Sequence, residues 1–328
     1  MDVQKEEKEW LHRIRTSQPC QKQEEKENTK TTPVRSESKE SAKKKAFGFK
    51  DVAGMDELKR FVTEGFINVL NNRECAEAYG IVPPSLLLYG PTGCGKSYFA
   101  EAIAGEVGVN FMKVIPDDIA SKWLHGTQEK IGEIFRKAEH NSPTVLFFDE
   151  FDAMVPQRND GDSHNQNGEV NEFLCMLNNA SEKGVYVIAA TNHPEAIDKA
   201  VLRTGRIDEK IYVDMPDKAA RESLFRLSLS KLPLAEDIDY DKLADLTQGY
   251  NCSDINYIVK VASRKMFNKS IAEKDKPYKT ITQVQLEDII THKSPSVTSK
   301  DLREYERIRC QFSPKDSGAK MQQIGFHC

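Results

Sequence analysis

Three short apolar runs punctuate the chain: Ser85 to Gly90, Val145 to Glu150 and Val185 to Asn192. Each is bounded by turn residues and separated from the next by stretches with helical spacing. Runs this short and this apolar fit strands buried on both faces, and their alternation with helices predicts a parallel sheet covered on both sides. That texture begins at Phe47 and stops near Pro216, which delimits an α/β domain over 47–215. Beyond it, segments 217–230, 241–246, 254–270 and 284–291 read as helices, so a second, all-helical domain is expected over 216–293. Residues 1–46 are rich in Lys, Glu, Gln, Ser and Thr and poor in aromatics; they cannot bury enough surface to offset the entropy of ordering, and read as a tether. Within them Val3, Trp10, Leu11 and Ile14 share one face of a short helix, which is either a docking element or a frayed helix with incidental apolar residues.

Composition narrows the class. Hydrophobic residues at 38% and charged residues at 30% describe a soluble globular protein, and no apolar run approaches the roughly 18 residues a membrane span needs. The N-terminus is charged from its start and lacks the apolar core of a signal peptide. The seven cysteines are scattered without C-x-x-C pairs, so they read as reduced thiols in a reducing compartment, the cytoplasm first and the nucleus as the alternative. A net charge of −4 supplies no general attraction to nucleic acid, and the run Lys43 to Lys45 reads as a solvated patch.

Chemistry enters at the first apolar run. Gly90-Pro91-Thr92-Gly93-Cys94-Gly95-Lys96-Ser97 matches G-x-x-x-x-G-K-[ST], directly after a predicted strand and before the helical segment Tyr98 to Val107. Such a loop curls so that backbone N–H groups and a helix N-terminus face a phosphate chain. Lys96 would then bridge the β- and γ-phosphates of ATP, Ser97 would ligate Mg²⁺, and Tyr98 joins the loop residues as a nucleotide-contact candidate. The second run ends in Asp149-Glu150, two acids at the carboxyl edge of the sheet, where nucleotides bind. Asp149 is the second Mg²⁺ candidate and Glu150 the residue that orients the attacking water. The third run ends in Asn192, whose amide can bond a γ-phosphate oxygen and the water together.

With these motifs in place, residues 47 to 312 resemble the AAA ATPases, and within them the group containing katanin, spastin, fidgetin and the ATPases that disassemble ESCRT filaments. Phe49 to Gly54 is similar to the family's leading segment, which lies against the adenine, so Asp51, Val52 and Ala53 become base-contact candidates. Leu202-Arg203-Thr204-Gly205-Arg206-Ile207-Asp208 is similar to L-R-x-G-R-[FIL]-D, and the resemblance makes Arg203 and Arg206 arginine fingers that reach a neighbouring subunit's nucleotide. Thr247 to Ile255 is similar to T-x-G-[YF]-S-G-[AS]-D-[IL] at the start of a lid helix, with Asn251 and Cys252 in place of serine and glycine; Cys252 and Ser253 are carried over as nucleotide contacts. Ser294 to Glu306 resembles the group's C-terminal helix, within a last segment over 294–328. No H-E-x-x-H zinc site accompanies these motifs, so there is no sign of a protease.

Ser121 to Gly126 resembles the family's first pore loop, in which Lys122, Trp123 and Leu124 would grip a polypeptide through apolar contact; the competing reading has Trp123 covering the core from a helix end. A second loop is expected over Arg158 to Gly168. What the resemblance implies is a P-loop parallel sheet with a helical lid, assembled head to tail into a ring of six that threads protein substrate, with the N-terminal tail a possible adaptor site. Two other functions stay open: a nucleotide-dependent scaffold or switch recruiting partners through that tail, and severing of cytoskeletal filaments.

Overall fold

The computed structural model describes residues 47–120, 126–157, 164–203, 205–273 and 278–312. Its sheet has five strands, all parallel: β1 (Leu86–Tyr89), β2 (Asn110–Val114), β3 (Thr144–Phe148), β4 (Val185–Thr191) and β5 (Glu209–Tyr212), in the order β2-β3-β4-β1-β5. The period of two along each central strand divides its side chains between two cores. Leu87, Leu146, Phe148 and Val187 face one side, where helices α3 (Gly126–His140) and α4 (His164–Leu177) contribute Ile131, Phe135, Phe173 and Leu174. Leu86, Leu88, Val145, Phe147 and Ile188 face the other, against Leu58 and Val62 of α1 (Asp56–Val62) and Phe99 and Ile103 of α2 (Lys96–Val107). This is the parallel sheet with flanking helices that the hydrophobic pattern predicts.

Two strands escape that pattern, for a physical reason. β2 and β5 are the sheet's edges, and only Val114 in the one and Ile211 in the other are fully buried. Their sequences, NFMKV and EKIY, carry polar side chains where a central strand would be apolar. A second correction concerns the loop expected over Arg158 to Gly168. Residues 158–163 lie outside the described residues, but α4 already begins at His164, so Gly168 is helical.

The region after Pro216 is helical: α5 (Lys218–Leu229), α6 (Tyr240–Leu246), α7 (Cys252–Glu273) and α8 (Gln283–Thr291) enclose a core of their own that includes Phe225, Leu243, Ile258 and Leu286. Asp217 and Asp239 cap α5 and α6 by accepting from Ala220 N and Lys242 N. Helix α7 starts two residues before the expected 254, because Asn251 Oδ1 accepts from Asp254 N at 2.8 Å and so caps it.

A last helix, α9 (Ser299–Phe312), opens on a reciprocal cap between Thr298 and Asp301. It leaves the lid and lies over the carboxyl ends of β1, β4 and β5. Phe312 is 5.4 Å from the Tyr89 ring, Arg309 stands 5.2 Å over the Tyr212 ring, and Tyr305 Oη donates to Asn192 O at 3.0 Å. From β1 the chain runs first to β2, at the far edge of the sheet, and later to β5 on the opposite side, so the strand order reverses beside β1. Crevices at such reversals are where open α/β sheets bind ligands.

Candidate active site

The turn from β1 to α2 occupies this crevice. Gly90 has φ +140°, and a Cβ there would lie 2.3 Å from Val213 O. Gly93 has φ +75°, and its Cβ would lie 2.5 Å from Asn251 Nδ2. Both positions demand glycine for backbone conformation and for space. Lys96, at 8% exposure, donates from Nζ to Gly90 O (2.8 Å), Pro91 O (2.8 Å) and Asn192 Oδ1 (2.7 Å), which uses all three ammonium protons. Burial pulls its pKa down to about 8, against the opposing pull of Cys94, Asp149 and Asp152.

The acidic pair sits at the end of β3, two strands from β1 with β4 between. Ser97 Oγ donates to Asp149 Oδ2 at 2.9 Å, and Lys113 Nζ, from the end of β2, reaches the same oxygen at 2.6 Å. A hydroxyl and a carboxylate at that separation form an all-oxygen donor set of the kind a hard Mg²⁺ ion takes while keeping several waters. Among the described residues no group of three or more His, Cys, Asp or Glu is placed to hold a metal. Glu150, the residue after Asp149, is exposed and holds a left-handed conformation (φ +52°, ψ +47°), a strain of about 1–3 kcal/mol that turns the chain off the path of β3. Thr191 Oγ1 donates to Asp152 and accepts from His193 N at 2.8 Å, fixing the backbone on both sides of Asn192. Lys113 and Asp152 belong to no motif. The signal for Lys113 is its place on β2, next to Val114, which pairs with Phe148 one residue before Asp149.

Beside the loop lies a cleft lined by Ala53, Met55, Tyr212, Asp214, Met215 and Cys252, among others. Its lining is mostly apolar, as a base pocket requires. Of the leading-segment candidates only Ala53 lines it; Val52 is 6% exposed within the core, and the Asp51 carboxylate accepts from Gly48 N at 3.0 Å. Tyr98 is turned to the same segment, its hydroxyl donating to Asp51 O at 3.1 Å. The lid closes over the loop: Asn251 Nδ2 donates to Thr92 O (3.0 Å), Ser253 N to Gly93 O (3.1 Å), and Cys252 Sγ to Cys94 O (3.6 Å). Burial pushes the Cys94 thiol up to about 12 and the Cys252 thiol up to about 11, so neither is a nucleophile at neutral pH.

Residues 86–215, the sheet and this crevice, match the family described as ATPase family associated with various cellular activities (AAA). The chain is 36% identical over 272 residues to the Cell division cycle protein 48 homolog of Archaeoglobus fulgidus, covering 79% of this chain and 37% of that protein. It is 35% identical over 228 residues to Protein SAV of Sulfolobus acidocaldarius, covering 69% of this chain and 29% of that protein. Residues 86–215 form a domain of the AAA ATPase family. The match is to an ATPase domain, and the chain spans about a third of the length of the curated relatives it matches.

The two arginine-finger candidates, which lie between β4 and β5, stand apart from this crevice's hydrogen bonds. Arg203 is exposed, and Arg206 Nη1 donates to Ala200 O at 2.7 Å. Thr204 between them, and the pore-loop candidates Lys122, Trp123 and Leu124, lie outside the described residues, as does the apolar stripe of the N-terminal tail. Among the described residues no helix is long and apolar enough to cross a membrane.

Proposed function

We propose that this chain is a ring-forming motor that spends ATP hydrolysis on remodelling protein substrates, by unfolding, extraction or disassembly of a complex. The observation that carries the reading is the convergence at one sheet edge of Lys96, the Ser97–Asp149 pair, Glu150 and Asn192. In it the loop residues Gly90 to Ser97 hold the phosphates, and Ser97 and Asp149 hold Mg²⁺, which neutralises phosphate charge when bound. Glu150 orients the attacking water and Asn192 holds it against the γ-phosphate. Ala53, Cys252 and Ser253 flank the base, with Asp51, Val52 and Tyr98 behind them. Arg203 and Arg206, turned to solvent or to their own loop, serve the site of the next copy, a contribution worth about 10³ to 10⁵ in rate in other NTPases.

Lys122, Trp123 and Leu124 would then line a pore that grips substrate largely without regard to sequence. The katanin and ESCRT-disassembly group is the favoured subgroup, supported by the C-terminal helix Ser299–Phe312. An adaptor at residues 1–46 and a cytoplasmic setting complete the reading.

The test measures ATP hydrolysis against protein concentration, with mass followed by light scattering. Wild-type activity should rise cooperatively with concentration. Glu150→Gln should form ATP-trapped rings without turnover, Arg206→Ala should assemble but stay inactive, and Trp123→Ala should hydrolyse ATP without processing substrate. Hydrolysis by a monomer would refute the ring, and unchanged processing by Trp123→Ala would refute threading in favour of a switch working through the tail.

A further inference from the structure

We infer that Asn251 is a positioning residue for the phosphate-binding loop: its amide clasps the loop to the lid and keeps the loop's N–H groups aimed at the nucleotide. This rests on the reading of Gly90 to Ser97 as the ATP phosphate site.

Three consecutive loop carbonyls, those of Thr92, Gly93 and Cys94, accept hydrogen bonds from the lid residues Asn251, Ser253 and Cys252. In a trans peptide the C=O of one residue and the N–H of the next point in opposite directions. Carbonyls turned to the lid therefore turn the N–H groups of Gly93, Cys94 and Gly95 away from it, as an anion-binding nest requires. The three links are not equivalent. Ser253 contributes a backbone N–H that any residue would supply, and Cys252 a weak thiol donor. Asn251 contributes a side-chain amide at 1% exposure, with Nδ2 seated 2.5 Å from where a Gly93 Cβ would stand.

The same side chain has a second task. Oδ1 caps α7 by accepting from Asp254 N at 2.8 Å, and the buried Asp254 carboxylate in turn accepts from Lys293 Nζ at 2.6 Å and Ser296 N at 3.0 Å. One amide thus joins the loop to the lid helix and to the segment leading into α9. A serine, which the family pattern carries at this position, can cap the helix through its single Oγ but has no second arm to reach Thr92. Capping and clasping are separable by mutation.

The experiment uses the full chain, a fluorescent ADP analogue titrated at equilibrium, steady-state ATPase assays and thermal unfolding without nucleotide. Asn251→Ser keeps the cap and should lower the melting temperature only by the roughly 2–4 °C that one buried hydrogen bond is worth. It loses the clasp and should weaken ADP-analogue binding by about three- to tenfold, the range one hydrogen bond spans. Because the clasp serves ground state and transition state alike, KM should rise in step with kcat nearly unchanged. Asn251→Ala loses both tasks and should lower the melting temperature further than Asn251→Ser does. If Asn251→Ser binds the analogue as wild type does while Lys96→Ala does not, the clasp is refuted and the phosphate site stands. If Lys96→Ala also binds like wild type, the phosphate site itself falls, and the clasp with it.

Discussion

Replacing Asp254 by asparagine tests the hinge between lid and C-terminal segment. Asp254 is 2% exposed at the start of α7, and Lys293, at 18% side-chain exposure, reaches its carboxylate at 2.6 Å; Ser296 donates to it from both backbone and side chain. An amide in its place keeps the shape, but it removes the charge that Lys293 neutralises and turns an acceptor into a donor facing other donors. Breaking a buried pair from one side costs about 3–5 kcal/mol, and partial exposure of the lysine places this case near the low end, about 3 kcal/mol. For a unit of this size that corresponds to a melting-temperature drop of about 6–12 °C. Calorimetry on wild type, Asp254→Asn, Lys293→Met and the double variant is the assay. The double variant should recover more than half of the loss, because it leaves no unpaired charge. A single variant that melts within about 2 °C of wild type, or strict additivity in the cycle, would mean the pair is solvated and the reasoning wrong.

The same carboxylate makes a pH prediction. Burial alone would raise its pKa, but Lys293 and Ser296 more than offset this and hold it below 3.8. A depressed folded pKa contributes stability that is present above about pH 4 and is lost as the pH falls through the lower folded value, so the acid-unfolding curves of wild type and Asp254→Asn should converge there. Gly90→Ala, with φ +140° and a Cβ 2.3 Å from Val213 O, should cost about 3 kcal/mol or more, whereas Gly80→Ala, at φ +65° in open space, should cost only about 1–2; equal melting temperatures would refute the steric argument. Tyr305→Phe deletes the hydroxyl that holds the Asn192 carbonyl, and should lower kcat by about three- to tenfold with ADP-analogue affinity unchanged in a binding titration. Lys113→Met removes the cation that competes for Asp149 Oδ2, and should lower the magnesium concentration needed for half-maximal nucleotide binding by up to about fivefold.

What could be read in the sequence followed from burial. β1, β3 and β4 are buried along their whole length, so their apolar runs stand out, and each leads directly into a piece of the site: the glycine loop, Asp149 and Asn192. β2 and β5 are half solvated and offer no such run, and with β2 went Lys113, whose importance comes from lying beside Asp149 and not from any local pattern. Asn251 was visible only as a departure from the family's serine; that its amide reaches a carbonyl 159 positions earlier is a fact of tertiary structure. Tyr305 likewise lay in a stretch read only as a helix, while its hydroxyl meets a backbone carbonyl 113 positions away.

Those separations bear on how the molecule comes into being. The phosphate loop is synthesised early, yet it is held by Asn251 from the lid, and the Asn192 peptide beside it by Tyr305 from the last described helix. At ordinary elongation rates the loop waits on the order of tens of seconds for these partners to leave the ribosome. Contacts of such high sequence separation also close slowly. The sheet can therefore collapse around its two apolar faces well before its crevice is complete, and ATP would act as a late seal on a nearly finished fold, with little to offer as an early guide.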